Sequence, residues 1–312
     1  MSALLEVTGL TVRFGALAAV EDVTFSVPEG GTVGLVGESG SGKSVTALAV
    51  MGLLDGASVE GAVRFQGEAL LELPPRRLQA LRGRSLAMVF QDPGASLNPA
   101  QRVLTQLAEP LRLHLRIPKA DAEARAVSLL EAVGVGDAAR RAKAYPHELS
   151  GGLQQRAMIA MALACGPALL IADEPTTALD VTVQAQVMAL LRQVQAERRM
   201  GLLLISHDLG LVAESCAELV VLYAGQVVER GPTAEVLRAP RHPYTRGLLA
   251  STPTLEGQGR LEEIPGAVPE LSAMPKGCRF AERCPQAQAA CRAAPVPLDG
   301  GVRCLFPLGG GR

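Results

Sequence analysis

The chain carries the octapeptide Gly37-Glu38-Ser39-Gly40-Ser41-Gly42-Lys43-Ser44, which has the glycine and lysine spacing of a phosphate-binding loop. An apolar run at 32–36 precedes it, and an apolar helical stretch at 44–54 follows it. Glycines let successive backbone N–H groups converge on phosphate oxygens, and the N-terminus of the following helix adds a positive dipole. A glycine-rich turn without function is the alternative, and the strand and helix at its two ends argue against it.

Within this loop, Lys43 is expected to reach the β- and γ-phosphates, and the Ser44 hydroxyl is expected to bind Mg²⁺. Catalysis at such loops rests on positioning and on stabilising the charge of the transferred phosphoryl group. The residues expected to contact the nucleotide phosphates are Gly37, Ser39, Gly40, Ser41, Gly42, Lys43, Ser44 and Val45.

A second apolar run, at 169–172, ends in two carboxylates, Asp173 and Glu174. Asp173 suits Mg²⁺, through a water molecule. Glu174 is placed to orient or deprotonate an attacking water. Two acids after a strand are by themselves more typical of a solvated strand end, but beside a phosphate-binding loop they indicate nucleotide hydrolysis.

The rest of the chain alternates strand-like and helix-like segments. Val23, Phe25 and Val27 alternate with polar residues, as in a half-buried strand. Alternating strands and helices predict an α/β fold with a parallel sheet covered on both faces. Strands are predicted at 86–90, 202–205 and 219–223, helices at 182–199 and 208–216, a loop at 92–99, and helices over 101–165 with breaks at Pro110, Pro118, Gly134 and Pro146.

Composition excludes several classes of protein. The 312 residues are 48% hydrophobic and 20% charged, which is ordinary globular usage rather than that of a disordered chain. The net charge of −1 gives no case for nonspecific nucleic-acid binding, and nine aromatic residues without Trp (3 Tyr, 6 Phe) do not suit a base-stacking platform. Without a signal peptide pattern or a run of about 20 apolar residues, we expect a soluble, cytoplasmic chain.

A third motif points to a specific protein family. Leu149-Ser150-Gly151-Gly152-Leu153 precedes a long apolar helix, and a serine with exposed N–H groups at a helix start can cap the helix or bind an anion. Lying between the phosphate-binding loop and the Asp-Glu strand, it resembles the signature of ATP-binding cassette (ABC) ATPases. The usual glutamine after the two glycines is Leu153 here, which leaves Ser150, Gly151, Gly152 and their backbone donors in place.

The resemblance assigns four more residues. Gln91 resembles the glutamine that senses Mg²⁺ and the lytic water, and His207, in Ser206-His207-Asp208, resembles the histidine that contacts the γ-phosphate. Asp180, in Ala178-Leu179-Asp180, resembles the loop that crosses the dimer interface, and it would also suit a helix cap. Phe14, 23 residues before Gly37, resembles the aromatic residue that stacks on adenine, although a plain strand residue is the alternative.

The resemblance covers residues 4–235 and implies a RecA-like nucleotide-binding domain at 1–235. This domain would contain an antiparallel β-subdomain and a helical subdomain inserted at about 92–160. Two stretches, 91–99 and 242–249, and the extension at 236–312 resemble the oligopeptide/dipeptide permease branch, which also includes nickel and glutathione importers. That branch implies a second ATPase subunit (a copy or a paralogue), two membrane permeases, an extracytoplasmic binding protein, no nucleic acid, and a peripheral position at the cytoplasmic face of the membrane.

The extension holds four of the six cysteines, at Cys278, Cys284, Cys291 and Cys304. Clustered cysteines in a cytosolic chain favour metal binding over disulfides. The spacing C-x5-C-x6-C-x12-C lacks the short pair of most zinc sites and suits an iron–sulfur cluster better, with zinc and unliganded thiols as the alternatives. The resemblance also implies a [4Fe–4S] cluster. Cys165 and Cys216 are predicted to be small buried side chains.

Two other functions compete with an importer subunit. A non-transport ABC ATPase would usually show two cassettes, a long coiled coil or a basic patch, none of which the sequence contains. A redox or iron sensor would couple its ATPase to the cluster, so its ATP turnover would change when the cluster is lost.

Overall fold

The computed structural model describes residues 3–176, 179–251 and 263–309. Its strands are β1 (Ala3–Phe14), β2 (Leu17–Pro28), β3 (Thr32–Val36), β4 (Ser58–Phe65), β5 (Glu68–Ala69), β6 (Leu86–Val89), β7 (Leu169–Asp173), β8 (Gly201–Ser206), β9 (Glu218–Tyr223) and β10 (Gln226–Pro232). Its helices are α1 (Lys43–Met51), α2 (Pro75–Leu81), α3 (Pro93–Ser96), α4 (Val103–Leu115), α5 (Lys119–Ala132), α6 (Ala138–Arg141), α7 (Gly151–Leu163), α8 (Val181–Arg198), α9 (Leu209–Ser215), α10 (Thr233–Arg238), α11 (Pro243–Ala250) and α12 (Ala289–Ala293).

Short 3₁₀ turns lie at Leu70–Glu72, Pro146–Glu148 and Leu271–Ala273. The chain folds into two compact units, one formed by 29–31 and 73–203, the other by the described residues of 2–28, 32–72 and 204–312. Strand β8 contributes its first three residues to the former and its last three to the latter. No described helix is long and apolar enough to cross a membrane.

In the second unit, β2-β1-β4-β5 form an antiparallel sheet. Nearly all of the first 28 residues form two twelve-residue strands joined by a tight hairpin, with Phe14 paired to Leu17. The predicted alternation is confirmed, because Val23, Phe25 and Val27 are all buried. One face of this sheet is therefore part of the core.

The second unit also contains the strand order β10-β9-β3-β8. Strand β3 runs parallel to β9, with Leu35 opposite Val220, while β9 and β10 are antiparallel. After a polar first residue in each, both strands of the parallel pair are continuous buried apolar runs, as expected for strands covered on both faces. This packing fixes the point at which β3 ends and the phosphate-binding loop begins.

The first unit is mainly helical around the strand order β8-β7-β6. Strands β6 and β7 are parallel, and every residue of both is buried. Helices α4, α5 and α7 pack on one another in this unit. The helix-rich region predicted at 101–165 is confirmed as α4 to α7 with short connections.

Two local predictions in this region are wrong. The expected loop at 92–99 contains the short helix α3, because Asp92 Oδ1 accepts hydrogen bonds from the Gly94 and Ala95 N–H groups and Pro93 lies at the first helical position. The expected break at Pro110 is absent from α4 as described, since buried Leu107 and Leu111 hold the helix on both sides of the proline.

Gly34 provides a test of packing in β3. A Cβ at this position would lie 2.3 Å from Val212 Cγ1 and 3.5 Å from Cys216 Cβ, both on or beside α9. We expect Gly34→Ala to lower the free energy of unfolding by about 1–3 kcal/mol through overpacking. Urea unfolding measures this change.

The matched control is Gly136→Ala, because a Cβ there would have no heavy atom of the described structure within 4 Å. Its effect should stay within about 0.5 kcal/mol of zero. Equal destabilisation by the two variants would contradict the packing of β3 against α9.

Candidate functional site

The octapeptide forms the connection between β3 and α1. Gly37 must be glycine because a Cβ there would lie 2.1 Å from the Leu222 carbonyl oxygen. Gly42 lies at the N-cap of α1 with φ of 98°, in the left-handed region that favours glycine. The predicted strand, loop and helix are therefore present, with the helix starting at Lys43 rather than Ser44 and ending at Met51 rather than Leu54.

Lys43 lies in the interior of this loop. It is only 5% exposed, and its Nζ donates hydrogen bonds to the carbonyl oxygens of Gly37, at 2.8 Å, and Glu38, at 2.9 Å. Ser41 is fully buried, whereas Ser39 and Gly40 are exposed and Ser44 is half-buried at the start of α1. A cation and a helix N-terminus thus meet in one loop, which is the arrangement that binds phosphate anions.

A second group of site residues lies in the first unit, at the ends of β6 and β7. Asp173 is the last residue of β7 and is buried. Glu174 follows it, and its Oε2 accepts a hydrogen bond of 3.1 Å from Gln91 Nε2. The residue predicted to activate water and the residue predicted to sense it are therefore in direct contact.

The backbone of Glu174 has an unusual conformation. Its φ is 46°, in the left-handed region, which costs about 1–2 kcal/mol for a residue with a Cβ. This conformation determines the direction of the Glu174 carboxylate after β7. The position of that carboxylate therefore depends on a strained backbone.

The predicted signature motif begins α7. Ser150 is exposed at the N-cap of this helix, and its side chain makes no capping hydrogen bond with the described residues. Five residues on, buried Gln155 donates a 2.6 Å hydrogen bond to the Pro175 carbonyl oxygen, next to Glu174. Sequence reasoning missed Gln155, which ties the signature helix to the acidic loop.

The remaining predicted site residues lie on other elements of the two units. His207 is exposed directly after β8, Phe14 is 38% exposed at the end of β1, and Asp180 caps α8 by accepting a 2.9 Å hydrogen bond from the Val183 N–H group. The capping alternative for Asp180 is thus confirmed. Ala178 lies outside the described residues, and Gly151 and Gly152 occupy the first turn of α7.

The C-terminal extension contacts the phosphate-binding loop, which sequence reasoning did not predict. Tyr244 Oη accepts a hydrogen bond of 2.9 Å from the Glu38 N–H group. Arg283 binds the Glu38 carboxylate with both terminal nitrogens, at 2.6 and 2.9 Å. Two sequence signals were present without indicating the contact: an acid at a position of the octapeptide that the motif leaves open, and Tyr244 within the stretch 242–249.

Three buried arginines of the extension each sit next to a cysteine in sequence and each bind an acid. Arg279 binds Glu21, Arg283 binds Glu38, and Arg303 binds Asp22 at 2.9 Å. The three arginines are 7–8% exposed. Charge-assisted hydrogen bonds therefore attach the extension at three separate points.

All four clustered cysteines line one small pocket with an apolar wall that includes Phe280 and Val296. Burial raises the pKa of the Cys278 thiol to about 11, with the neighbouring cysteines adding to the rise. Among the described residues, however, no group of three or more His, Cys, Asp or Glu side chains is arranged to hold a metal ion.

The other two cysteines, Cys165 and Cys216, do not line this pocket. Cys216 is buried as predicted, and burial raises its pKa to about 12. Cys165 is only half-buried, and burial raises its pKa as well.

The sequence matches two family profiles. That of the ABC transporter family covers residues 20–177, and that of the C-terminal region of oligopeptide/dipeptide transporters covers residues 228–291. The second match contains Tyr244 and Arg283, the two residues that contact the phosphate-binding loop.

Similar proteins and structures agree with these matches. The chain is 50% identical to the oligopeptide transport ATP-binding protein OppD of Salmonella typhimurium, over 97% of this chain and 93% of that protein. It is 52% identical to a Brucella abortus protein named for peptide import ATP binding, over 95% and 91% of the two chains. The dimeric ATP-binding cassette MJ0796 bound to ADP and phosphate is similar in structure, with a TM-score of 0.67, 28% identity, and coverage of 73% of this chain and 98% of that one. The predicted α/β cassette fold is confirmed.

The strain at Glu174 can be measured with a pair of variants. Glu174→Gly and Glu174→Ala both remove the hydrogen bond with Gln91, but only glycine relieves the left-handed backbone. We expect the glycine variant to be more stable than the alanine variant by about 1 kcal/mol in urea unfolding.

Ala124→Gly in α5 is the control, because this exposed helix position should lose about 1 kcal/mol when alanine becomes glycine. An alanine variant at 174 as stable as the glycine variant would contradict the left-handed backbone of Glu174.

Proposed function

The chain belongs to the ABC transporter family, and from that premise we propose that it hydrolyses ATP to drive the import of dipeptides and oligopeptides. The observation that carries the proposal is the combination, on one chain, of an ABC profile match at 20–177 and an oligopeptide/dipeptide transporter match at 228–291. High identity to OppD over nearly the whole chain supports the same substrate class.

The phosphate-binding loop supplies the charge for catalysis in this proposal. Lys43 exchanges its two hydrogen bonds with loop carbonyls for the β- and γ-phosphates of ATP, and the N–H groups at the start of α1 bind phosphate oxygens. Phe14 stacks on adenine. Mg²⁺, when bound, neutralises phosphate charge, and the oxygen donors Ser44 and Asp173 fit its preference for oxygen ligands.

Glu174 acts as the general base in this proposal. Its carboxylate takes a proton from the attacking water, and Gln91 fixes the orientation of that carboxylate through the 3.1 Å hydrogen bond. His207 contacts the γ-phosphate. The backbone conformation of Glu174 fixes the direction of its carboxylate before ATP binds.

The assembly follows from the same premise. We propose that Ser150, Gly151 and Gly152 bind the γ-phosphate at the site of a second ATPase subunit, with Asp180 at the interface. The exposed Ser150 hydroxyl and the start of α7 support this role, because a helix N-terminus binds anions. Two membrane permeases and an extracytoplasmic binding protein complete the importer, and the ATPase is held at the cytoplasmic face of the membrane by the permeases.

The general-base assignment is tested with Glu174→Gln. This variant keeps the size of the side chain and its contact with Gln91 but cannot take a proton. We expect ATP binding close to wild type and turnover reduced by about 10²–10⁴-fold. Peptide uptake by reconstituted importer should fall in parallel.

Equilibrium binding of a fluorescent ATP analogue and steady-state phosphate release provide the two readouts. Wild-type turnover in Glu174→Gln would overturn the assignment. If the wild-type importer took up Ni²⁺ or glutathione but not a labelled tripeptide, the substrate would be that solute rather than a peptide.

We further propose that Cys278, Cys284, Cys291 and Cys304 hold a [4Fe–4S] cluster. In the structure these described side chains are not arranged around a metal ion, so the support is the donor set alone: four cysteine thiols line one apolar pocket, and four thiols are the ligands of such clusters. A bound cluster would act as a cross-link for a segment rich in proline and glycine. The thiols must lose their protons to bind iron, so loading releases protons.

Anaerobic purification tests the cluster. We expect about four irons and four sulfides per chain, with a broad brown absorption, for the wild-type protein. Cys291→Ser should lose the iron, while Cys216→Ser should keep it, because Cys216 is buried away from the pocket lining. Zinc alone, or a folded protein without metal, would overturn the cluster and leave the ATPase proposal unchanged.

A further inference from the structure

We propose that the C-terminal extension positions the phosphate-binding loop for ATP through Glu38, with Tyr244 and Arg283 as the positioning residues. This inference rests on the proposed ATPase function and adds residues to its site. Every contact that carries it lies within one compact unit of the chain.

Glu38 is held at its backbone and its side chain at once. Its N–H group donates to Tyr244 Oη, its carbonyl oxygen accepts from Lys43 Nζ at 2.9 Å, and its carboxylate binds Arg283. The N–H group of Glu38 therefore points to the extension, and its carbonyl points to the lysine that the proposed function assigns to the β- and γ-phosphates. A shift of Glu38 would move an acceptor of Lys43.

Arg283 is itself fixed in several directions. Its Nε donates to the Pro265 carbonyl oxygen at 2.8 Å, and its terminal nitrogens also donate to Ile264 O, at 3.2 Å, and to Tyr223 Oη, at 3.3 Å. The hydrogen bond with Glu38 raises the pKa of Arg283, so the guanidinium keeps its charge. A bidentate pair with a 7% exposed arginine has one geometry, which lysine cannot reproduce.

Tyr244 is equally immobile. Its ring is fully buried and packs on Tyr223 and Phe280, with ring centres 4.6 and 5.3 Å apart. Its N–H group donates to His242 Nδ1 at 3.0 Å, which caps α11. Tyr223, Tyr244 and Phe280, three of the nine aromatic residues of the chain, thus pack together and hold the Tyr244 hydroxyl against the loop.

Arg303 provides a matched control in the same extension. It is as buried as Arg283, precedes a cysteine in the same way, and binds an acid, Asp22, at 2.9 Å. Its other donors go to the carbonyl oxygens of Val227 and Val296. These three partners all lie outside the octapeptide, so Arg303 tests attachment of the extension without loop positioning.

The experiment compares Tyr244→Phe, Arg283→Gln, Arg283→Lys and Arg303→Gln in the full chain. A fluorescent ATP analogue gives Kd, steady-state hydrolysis gives KM and kcat, and thermal unfolding gives Tm. We expect Kd and KM to rise about tenfold in Arg283→Gln and about threefold in Tyr244→Phe, with kcat at saturating ATP within twofold of wild type, because bound ATP itself holds Lys43 and the loop in place, so that the loss falls on binding. Arg283→Lys should recover only part of the affinity.

Arg303→Gln should lower Tm as much as Arg283→Gln does while leaving Kd within twofold of wild type. Equal increases in Kd for the two glutamine variants, or a wild-type Kd in Tyr244→Phe and Arg283→Gln, would overturn the positioning role. Tyr244→Phe keeps the buried ring, so it reports on the hydroxyl even if an arginine variant fails to fold. Failure of the wild-type protein to bind or hydrolyse ATP would instead overturn the proposed function.

Discussion

The ion pair between Glu38 and Arg283 joins two parts of the molecule that lie 245 residues apart in sequence. On one side of it is the loop that wraps Lys43, and on the other is a segment with little apolar surface of its own. Breaking such a pair leaves the buried guanidinium of Arg283 with neutral acceptors only, which is costly. The geometry of the phosphate-binding loop and one of the three attachments of the extension therefore depend on the same contact.

Local physical rules made part of this architecture predictable. The strand, loop and helix around the octapeptide could be placed nearly to the residue, because a continuous apolar run, glycines at required positions and a helical pattern all occur within one short stretch of chain. The alternation at Val23, Phe25 and Val27 gave the buried face of β2 for the same reason. The short helix α3 was missed because it depends on one capping contact of Asp92 rather than on periodicity.

Contacts between segments that lie far apart in the chain could not be predicted from the sequence pattern. Tyr244 lies in the stretch 242–249, but that pattern does not indicate a contact partner, and Glu38 stands at a motif position open to any residue. Gln155 was missed likewise, since its partner is the carbonyl of Pro175. The resemblance set the extension at 236–312 apart from the domain at 1–235, whereas in the structure its described residues share a compact unit with β1 to β5. Buried arginines and an aromatic cluster, rather than aliphatic packing, make that possible.

The three arginines have a consequence for how such chains can diverge. Each bridge needs an acid on the early part of the chain, at Glu21, Asp22 or Glu38, and a basic partner on the late part. A tail taken from a related chain would fit this one best if it carried basic residues opposite Glu21, Asp22 and Glu38. A chimaera joined between head and tail without that match would leave buried arginines facing no acid, a cost that the three bridges together make larger than any one of them.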